Sequence, residues 1–286
     1  MHALVAGPCV SEMGWECLEW QGYVRKCADG IEGRHIVVCS SPAMEPLYAD
    51  LNPVFIGHKI EGARDCHKLR NSEKYAKTLA EIECTLNSKV AEFKVQGLTT
   101  YRIRSCTPKL QRRKLCDQTF VKYGHDIGNK HKLVIHARNH NPVTPFTGDN
   151  YPLKLWNSLV EKIRRRIGAV SIAAVGTKKA AFLPLGVDDY RDVPLTTTMD
   201  LMASANLVIG PSSGPMHLAS LCNTPHVVWC TDKKQPAISN TNYVRYTRVW
   251  NPFDTPVEVV LYCKGIPPSP EQLVEAIVRM WRLRSS

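Results

Sequence analysis

The segment Asn206 to Trp229, NLVIGPSSGPMHLASLCNTPHVVW, constrains the fold more than any other stretch of this 286-residue chain. Leu207 to Gly210 is a short apolar run of the kind a buried parallel strand needs. A Ser/Gly turn follows in which Ser212, Ser213 and Gly214 expose backbone N–H groups, and Pro215 suits the first turn of a helix because the N–H it lacks would have no partner there. Pro225 then breaks the chain before His226 to Trp229, whose β-branched and aromatic residues predict the next strand. A helix N-terminus at such a turn favours a phosphate or diphosphate through its oriented amides and dipole.

Gly210, Ser212 and Gly214 also spell G-x-S-x-G, the nucleophile elbow of α/β-hydrolases. Chain order argues against that reading. The elbow needs an acid and then a His after the Ser, whereas His217 lies inside the same helix and Asp232 follows His226 instead of preceding it.

Length favours two modest α/β domains. The opening HALVAG is interrupted too soon by Pro8, Ser11 and Glu12 for a signal peptide, and no apolar run approaches a membrane span, so a cytoplasmic protein is expected. Eleven Cys form no C-x-x-C pair and are read as reduced packing residues. His136 and His140 have helical ligand spacing but fall in a strand-to-loop segment without a Cys pair, which argues against zinc. The net charge of +11 is uneven: residues 1–128 hold 18 Lys/Arg against 15 Asp/Glu, residues 129–286 hold 19 against 11. The second half is therefore the half built to meet anions. Two basic runs, Arg102 to Lys114 and Lys162 to Arg166, read as solvated surface or as a groove for a polyanion.

Short apolar runs alternate with helical segments, which points to parallel βαβ units. Ala3 to Ala6, Ile36 to Cys39 and Val54 to Ile56 are expected strands, Trp15 to Ala28 and Ser72 to Leu86 expected helices, with further helix or irregular chain through Lys122. The polar stretch Gly124 to His131 marks the expected boundary between domains 1–128 and 129–286. Leu133 to Ala137 then begins a second series: helix Trp156 to Ile167, strand Val170 to Val175, helix Thr198 to Ala205, the opening segment, and helix Pro270 to Arg284 capped by Ser269. The expected fold is α/β, two Rossmann-like domains with a cleft between them, and Glu12, Arg138, Gly176 and Ser212 fall beyond the carboxyl ends of strands, where such sheets bind ligands.

With those residues in place, Thr198 to Trp229 resembles glycosyltransferases of the GT-B fold, most nearly the heptosyltransferase-like family. The family's acid-Ser/Thr-Gly-x-x-His-x-Ala helix start reads here as Ser212, Ser213, Gly214, Pro215, Met216, His217, Leu218, Ala219, with Pro225 leading the next strand and Ser212 in the acid's place. His136, Ala137 and Arg138 are similar to the H-x-R motif of fucosyltransferases of related fold, in which the Arg meets the donor diphosphate; that motif's later acid is Asn141 here. Ser11 and Glu12 stand where heptosyltransferases carry Gly-Asp, the Asp being the proposed base, and the resemblance passes that role to Glu12.

The resemblance implies a metal-independent, inverting glycosyltransferase without a cofactor, using a UDP-, GDP- or ADP-sugar. Leaving a diphosphate needs charge stabilisation, for which His136, Arg138, Gly176, Lys178, Ser212, Ser213, Gly214, His217 and Thr231 are the donor-side candidates, with Asp232 and Lys233 bordering the nucleotide. Taking the acceptor proton needs a base, Glu12 or Glu16; Glu16, in the first helical turn, also reads as compensating the dipole. Trp15 and Trp20 flank the acceptor side or belong to the core. Basicity suits a lipopolysaccharide-like glycan and equally DNA carrying modified bases. Because Ser212 and Asn141 replace acids, a nucleotide-sugar or nucleic-acid binding protein without turnover is the alternative.

Overall fold

The computed structural model describes residues 1–58, 60, 73–104, 115–128, 131–139, 150–231, 242–263 and 266–285. The chain forms two compact units, Met1–Phe120 and Val121–Ser286. The division falls ahead of the expected stretch because the next residues already pack on the second unit: Tyr123 N–H donates to Leu221 O at 3.0 Å, and a Cβ at Gly124, φ +73°, would meet Met199 O at 2.3 Å.

In the first unit, β1 (His2–Ala6), β2 (Ile36–Ser40), β3 (Val54–Gly57) and β4 (Thr99–Ile103) form a parallel sheet in the order β3-β2-β1-β4. β4 corrects the expectation of helix or irregular chain through Lys122. Its five residues, TTYRI, are β-branched or aromatic at all but one position, and pairing beside β1 decides their conformation. Helix α1 (Gln21–Ala28) is preceded by Met13–Trp15 and a π-wound turn, Glu16–Trp20, so the expected helix from Trp15 starts earlier and carries a bulge. Helix α2 (Glu73–Val95) runs beyond the expected Leu86 and sets Leu86 and Phe93 against Ala3, Val5 and Val37.

The second unit contains β5 (Leu133–Ile135), α3 (Leu153–Ile167), β6 (Ile172–Gly176), β7 (Asp188–Arg191), α4 (Leu195–Ala203), β8 (Leu207–Pro211), α5 (Gly214–Leu221), β9 (His226–Thr231), β10 (Val257–Tyr262) and α6 (Pro270–Ser285). All its strand pairs are parallel, in the order β10-β9-β8-β5-β6-β7. Numbered from its own first strand, this is the doubly wound order 3-2-1-4-5-6 of dinucleotide-binding folds. The edge strands β7 and β10 were not expected. β7, DDYR, has no apolar alternation to announce it.

Tyr151, Trp156 and Trp229 interlock with ring centroids 5.3–5.6 Å apart, and Leu159, Ile163, Leu273 and Ile277 continue this core between the sheet and helices α3 and α6. At the start of α6, Gln272 N–H donates to Ser269 Oγ while Ser269 N–H donates to Gln272 Oε1, a reciprocal cap. The run Lys162 to Arg166 is committed within the unit. Lys162 pairs with Glu271, Arg165 with Glu161 and Arg166 with Glu275, and Arg164 donates to Gly186 O. Of the other basic run, Ser105 to Lys114 lies outside the described residues, and Arg102 is no solvated cation: 13% exposed, it pairs with Glu83 and donates to Gly7 O and Ile103 O. Cys9, Cys17, Cys39, Cys222 and Cys230 are buried thiols.

Candidate functional site

In the second unit the order reverses between β5 and β8, whose neighbours continue in opposite directions. Their outgoing loops diverge there and leave a crevice at the carboxyl edge. This topology brings together His136–Arg138 and Ser212–Gly214, distant in sequence. Gly210 permits the approach, since a Cβ there would lie 2.9 Å from Met216 Sδ and 3.1 Å from His136 O.

The turn after β8 differs from expectation in one respect. Ser212 N–H continues the sheet by donating to Trp229 O at 2.9 Å, so it does not face a ligand. Ser213 is the residue before the helix; its hydroxyl turns back to Pro211 O at 2.9 Å, and its carbonyl accepts from Met216 and His217. Among the described residues the amides of Ser213 and Gly214 find no acceptor, as the first N–H groups of a helix do not. Arg138 Nη1 donates to Ser212 O at 3.0 Å, which fastens the chain after β5 to the turn after β8. Two open N–H groups at a helix N-terminus suit an anion, and Arg138 is tied to the same turn.

The other donor-side candidates divide. His136 is turned inward: Nδ1–H donates to Val175 O at 3.1 Å, and the ring occupies the space a Cβ on Gly176 would need, so Gly176, at φ +120°, and His136 brace β6 against β5. Lys178 is exposed in the turn after β6, its backbone N–H held by Asp192 Oδ1. Thr231 ends β9, its carbonyl accepting from Asn242 Nδ2 at 2.6 Å. Asn141, His140, Asp232 and Lys233 lie outside the described residues.

His217 is buried. Its ring stacks on Tyr246 at 5.2 Å and meets the edge of Trp250 at 4.7 Å, while Arg245 lies over Trp250 at 5.3 Å. Burial, with His226 nearby, pushes His217 down to about 3, so it is a neutral ring, and Nδ1 has no hydrogen-bond partner among the described residues. Tyr246 OH in turn sits 2.8 Å from Ser212 Oγ, tying this aromatic layer to the anion turn. Tyr246 and Trp250 escaped the sequence reading; their four-residue spacing was the available signal.

In the first unit the corresponding reversal lies between β1 and β4. The loop leaving β1 carries Ser11 and Glu12 and is fastened by Gly7 N–H to Ile103 O and Cys9 N–H to Cys39 O. Glu12 is exposed, and its carbonyl opens the helical turn by accepting from Trp15 and Glu16. Glu16, by contrast, is only 1% exposed, and its carboxyl is bonded to side chains of its own unit instead of compensating the helix dipole. The π-wound turn aims it into the unit, where Oε1 accepts from Ser40 Oγ at 2.5 Å and Tyr48 OH at 2.7 Å. Burial raises its carboxyl to about 7, against the pull of these donors and of Cys9. Trp20 is core, fully enclosed, and does not present a face to an acceptor.

No family model and no curated protein matches the chain. Among solved structures it is similar to the ADP-heptose lipopolysaccharide heptosyltransferase II of E. coli, at 15% identity over 100% of both chains with a TM-score of 0.62. It is also similar to a family 9 glycosyltransferase of Veillonella parvula, at 12% identity over 99% of this chain and 98% of that one, TM-score 0.59. E. coli heptosyltransferase WaaC with ADP-2-deoxy-2-fluoro heptose matches at 12% identity over 100% of both chains, TM-score 0.51. At such identities the likeness shows the fold, a heptosyltransferase-like GT-B fold of two Rossmann-like domains.

Proposed function

We propose that the chain is an inverting, metal-independent glycosyltransferase that moves a sugar from a nucleoside-diphosphate donor to a hydroxyl of a glycan. The observation that carries the reading is the anion seat of the second unit, the open Ser213 and Gly214 amides of a turn to whose Ser212 carbonyl Arg138 is bonded. Diphosphate is the leaving group of this chemistry, and donors aimed at it stabilise the charge that grows as the glycosidic bond breaks. Lys178, exposed on the neighbouring turn, adds a further cation. The fold agrees, and the neighbours named for ADP-heptose put ADP-sugars first in a donor panel.

In the proposed step the acceptor oxygen bonds to the anomeric carbon as that carbon's bond to the diphosphate oxygen breaks, and the acceptor proton passes to Glu12. Glu12 is preferred to Glu16 because a base must reach the acceptor oxygen, and Glu16 is enclosed. His217, neutral and walled by aromatic rings, supports the Ser212 turn through Tyr246. A glycan is preferred to DNA because the most compact basic run, Lys162 to Arg166, is taken up by ion pairs and a carbonyl of its own unit.

Release of nucleoside diphosphate from ADP-, GDP- and UDP-sugars tests the reading, measured alone, with lipopolysaccharide core oligosaccharide, and with a duplex bearing hydroxymethylated bases. Release stimulated by the oligosaccharide and unaffected by EDTA supports it. Transfer to the duplex alone overturns the glycan assignment, and abolition by EDTA overturns metal independence. Nucleotide sugars that raise the melting temperature without turnover on any acceptor leave a binding protein instead.

A further inference from the structure

The sheet of the second unit has two edges, β7 and β10, and the chain treats them differently. On β7 the ladder with β6 takes the backbone of Asp188 and Tyr190, so Asp189 and Arg191 turn theirs outward. There Asp189 Oδ1 accepts from Arg191 N–H at 3.1 Å, and the same carboxylate holds the Arg191 guanidinium. That edge is charged and capped by its own side chains, a known protection against further pairing. On β10 nothing similar is seen. His226 N–H donates to Pro256 O at 3.1 Å, and with Val257 opposite His226 the parallel register gives Glu258, Val260 and Tyr262 to β9. The N–H and C=O groups of Val257, Val259 and Leu261 therefore point away from the sheet, and among the described residues they find no partner.

The side chains along this edge are apolar. Val260 and Tyr262 pack on the core beneath α3 and α6, and Glu258, the one charged residue of the strand, is paired with Arg279 of α6. By alternation Val257, Val259 and Leu261 lie on the opposite face, where Leu261 is 40% exposed. The six residues, VEVVLY, contain no Lys and no Pro and pair one for one with β9, without a bulge. An edge left in that state is a template for another strand.

We propose that β10 pairs antiparallel with β10 of a second copy of this chain, across a two-fold axis at Val259, and joins the two sheets into one. In that arrangement the edge is complementary to itself. Val259 faces the partner's Val259 and Val257 faces the partner's Leu261, pairs that exchange both of their hydrogen bonds and supply about six in all. The charge pattern selects the axis. Centred on Val259, Glu258 stands opposite the partner's Val260; an axis at Glu258 would set it against the partner's Glu258, and an axis at Val260 would leave Val257 opposite the partner's Cys263, past the end of the strand. An axis between residues would oppose outward groups to inward ones. The apolar face is matched by the same symmetry, since Val257, Val259 and Leu261 of one copy meet those of the other in reverse order.

Sedimentation velocity of the full chain from about 1 to about 300 μM tests the proposal, a range suited to an interface smaller than the standard size. A monomer–dimer equilibrium is expected. Val259→Pro should raise its dissociation constant roughly 10- to 100-fold, the worth of the two hydrogen bonds on the axis, with the melting temperature near wild type, because Pro is tolerated on an edge whose N–H faces water. Val260→Pro removes an N–H given to Val228 O and should instead lower the melting temperature by roughly 5 to 10 °C. Leu261→Lys keeps every backbone group and should also favour the monomer. Hydrogen exchange locates the contact: protection of Val259 N–H that grows with concentration supports the pairing, whereas protection equal at all concentrations means that another part of the chain covers the edge, and overturns it. A monomer at about 300 μM, a species that grows past the dimer, or a dimer as tight as wild type in both Val259→Pro and Leu261→Lys overturns the proposal. Unfolding by Val259→Pro but not by Val260→Pro overturns it as well, by reversing which residues face outward.

Discussion

Replacing Glu16 by Gln should change how stability depends on pH, and by an amount the structure sets. The native carboxyl holds its proton up to about 7, because it is enclosed, whereas in the unfolded chain it releases it near 4.5. Between those values unfolding releases a proton, so each unit of rising pH lowers wild-type stability by about 1.4 kcal/mol from this group. The full effect, about 3 kcal/mol, is absent below the unfolded value and complete above the folded one. Gln is neutral throughout and its carbonyl keeps the Ser40 and Tyr48 donors. Two other buried groups act in the opposite sense: burial pushes His217 down to about 3 and His226 to about 4, so their contribution is lost as pH falls below the unfolded His range. Those terms are common to both proteins and cancel in the difference. Urea unfolding of wild type and Glu16→Gln across pH about 4.5 to about 7.5, followed by far-ultraviolet circular dichroism, should show the variant gaining about 3 kcal/mol on the wild type over that interval. A difference constant with pH would refute the claim that Glu16 is held in a desolvated place.

Arg138→Ala should weaken nucleoside diphosphate binding about 10- to 100-fold by titration calorimetry, the range for removing a charged hydrogen-bond partner, with nucleoside monophosphate affected less. Unchanged diphosphate affinity would remove Arg138 from the anion seat. Glu12→Gln should lower kcat by a factor on the order of 100 to 10,000 with donor affinity near wild type, and normal turnover would move the base elsewhere. Gly176→Ala should destabilise the second unit by about 1 to 3 kcal/mol, since φ is +120° and the new Cβ would lie 2.9 Å from His136 Nδ1; a melting temperature equal to wild type would contradict this account of the β5–β6 brace.

What the sequence determined by itself is the succession of βαβ units and the chemistry of one turn. Runs such as LVIG and HVVW have one stable use, buried among parallel strands, and Ser-Ser-Gly-Pro after such a run makes a helix start whatever surrounds it. That physics is local, so Ser213, Gly214 and the fold class were readable before any coordinates. Strand order is not local. That β5 lies beside β8, and hence that Arg138 reaches Ser212 O, depends on pairing across about seventy residues that no single segment announces. The same holds for β4 and β7, which become strands because an edge was there to join. Burial was decided at the same level. Glu12 and Glu16 look alike in a helical turn, yet Glu12 is exposed while the π-wound stretch encloses Glu16 beneath Ser40 and Tyr48. Likewise the N–H of Ser212 and the ring of His136, both attractive as ligands to an anion, were claimed by the sheet: a backbone donor or imidazole beside an unfilled acceptor bonds to it, and which acceptor stands there is settled only when the strands have met.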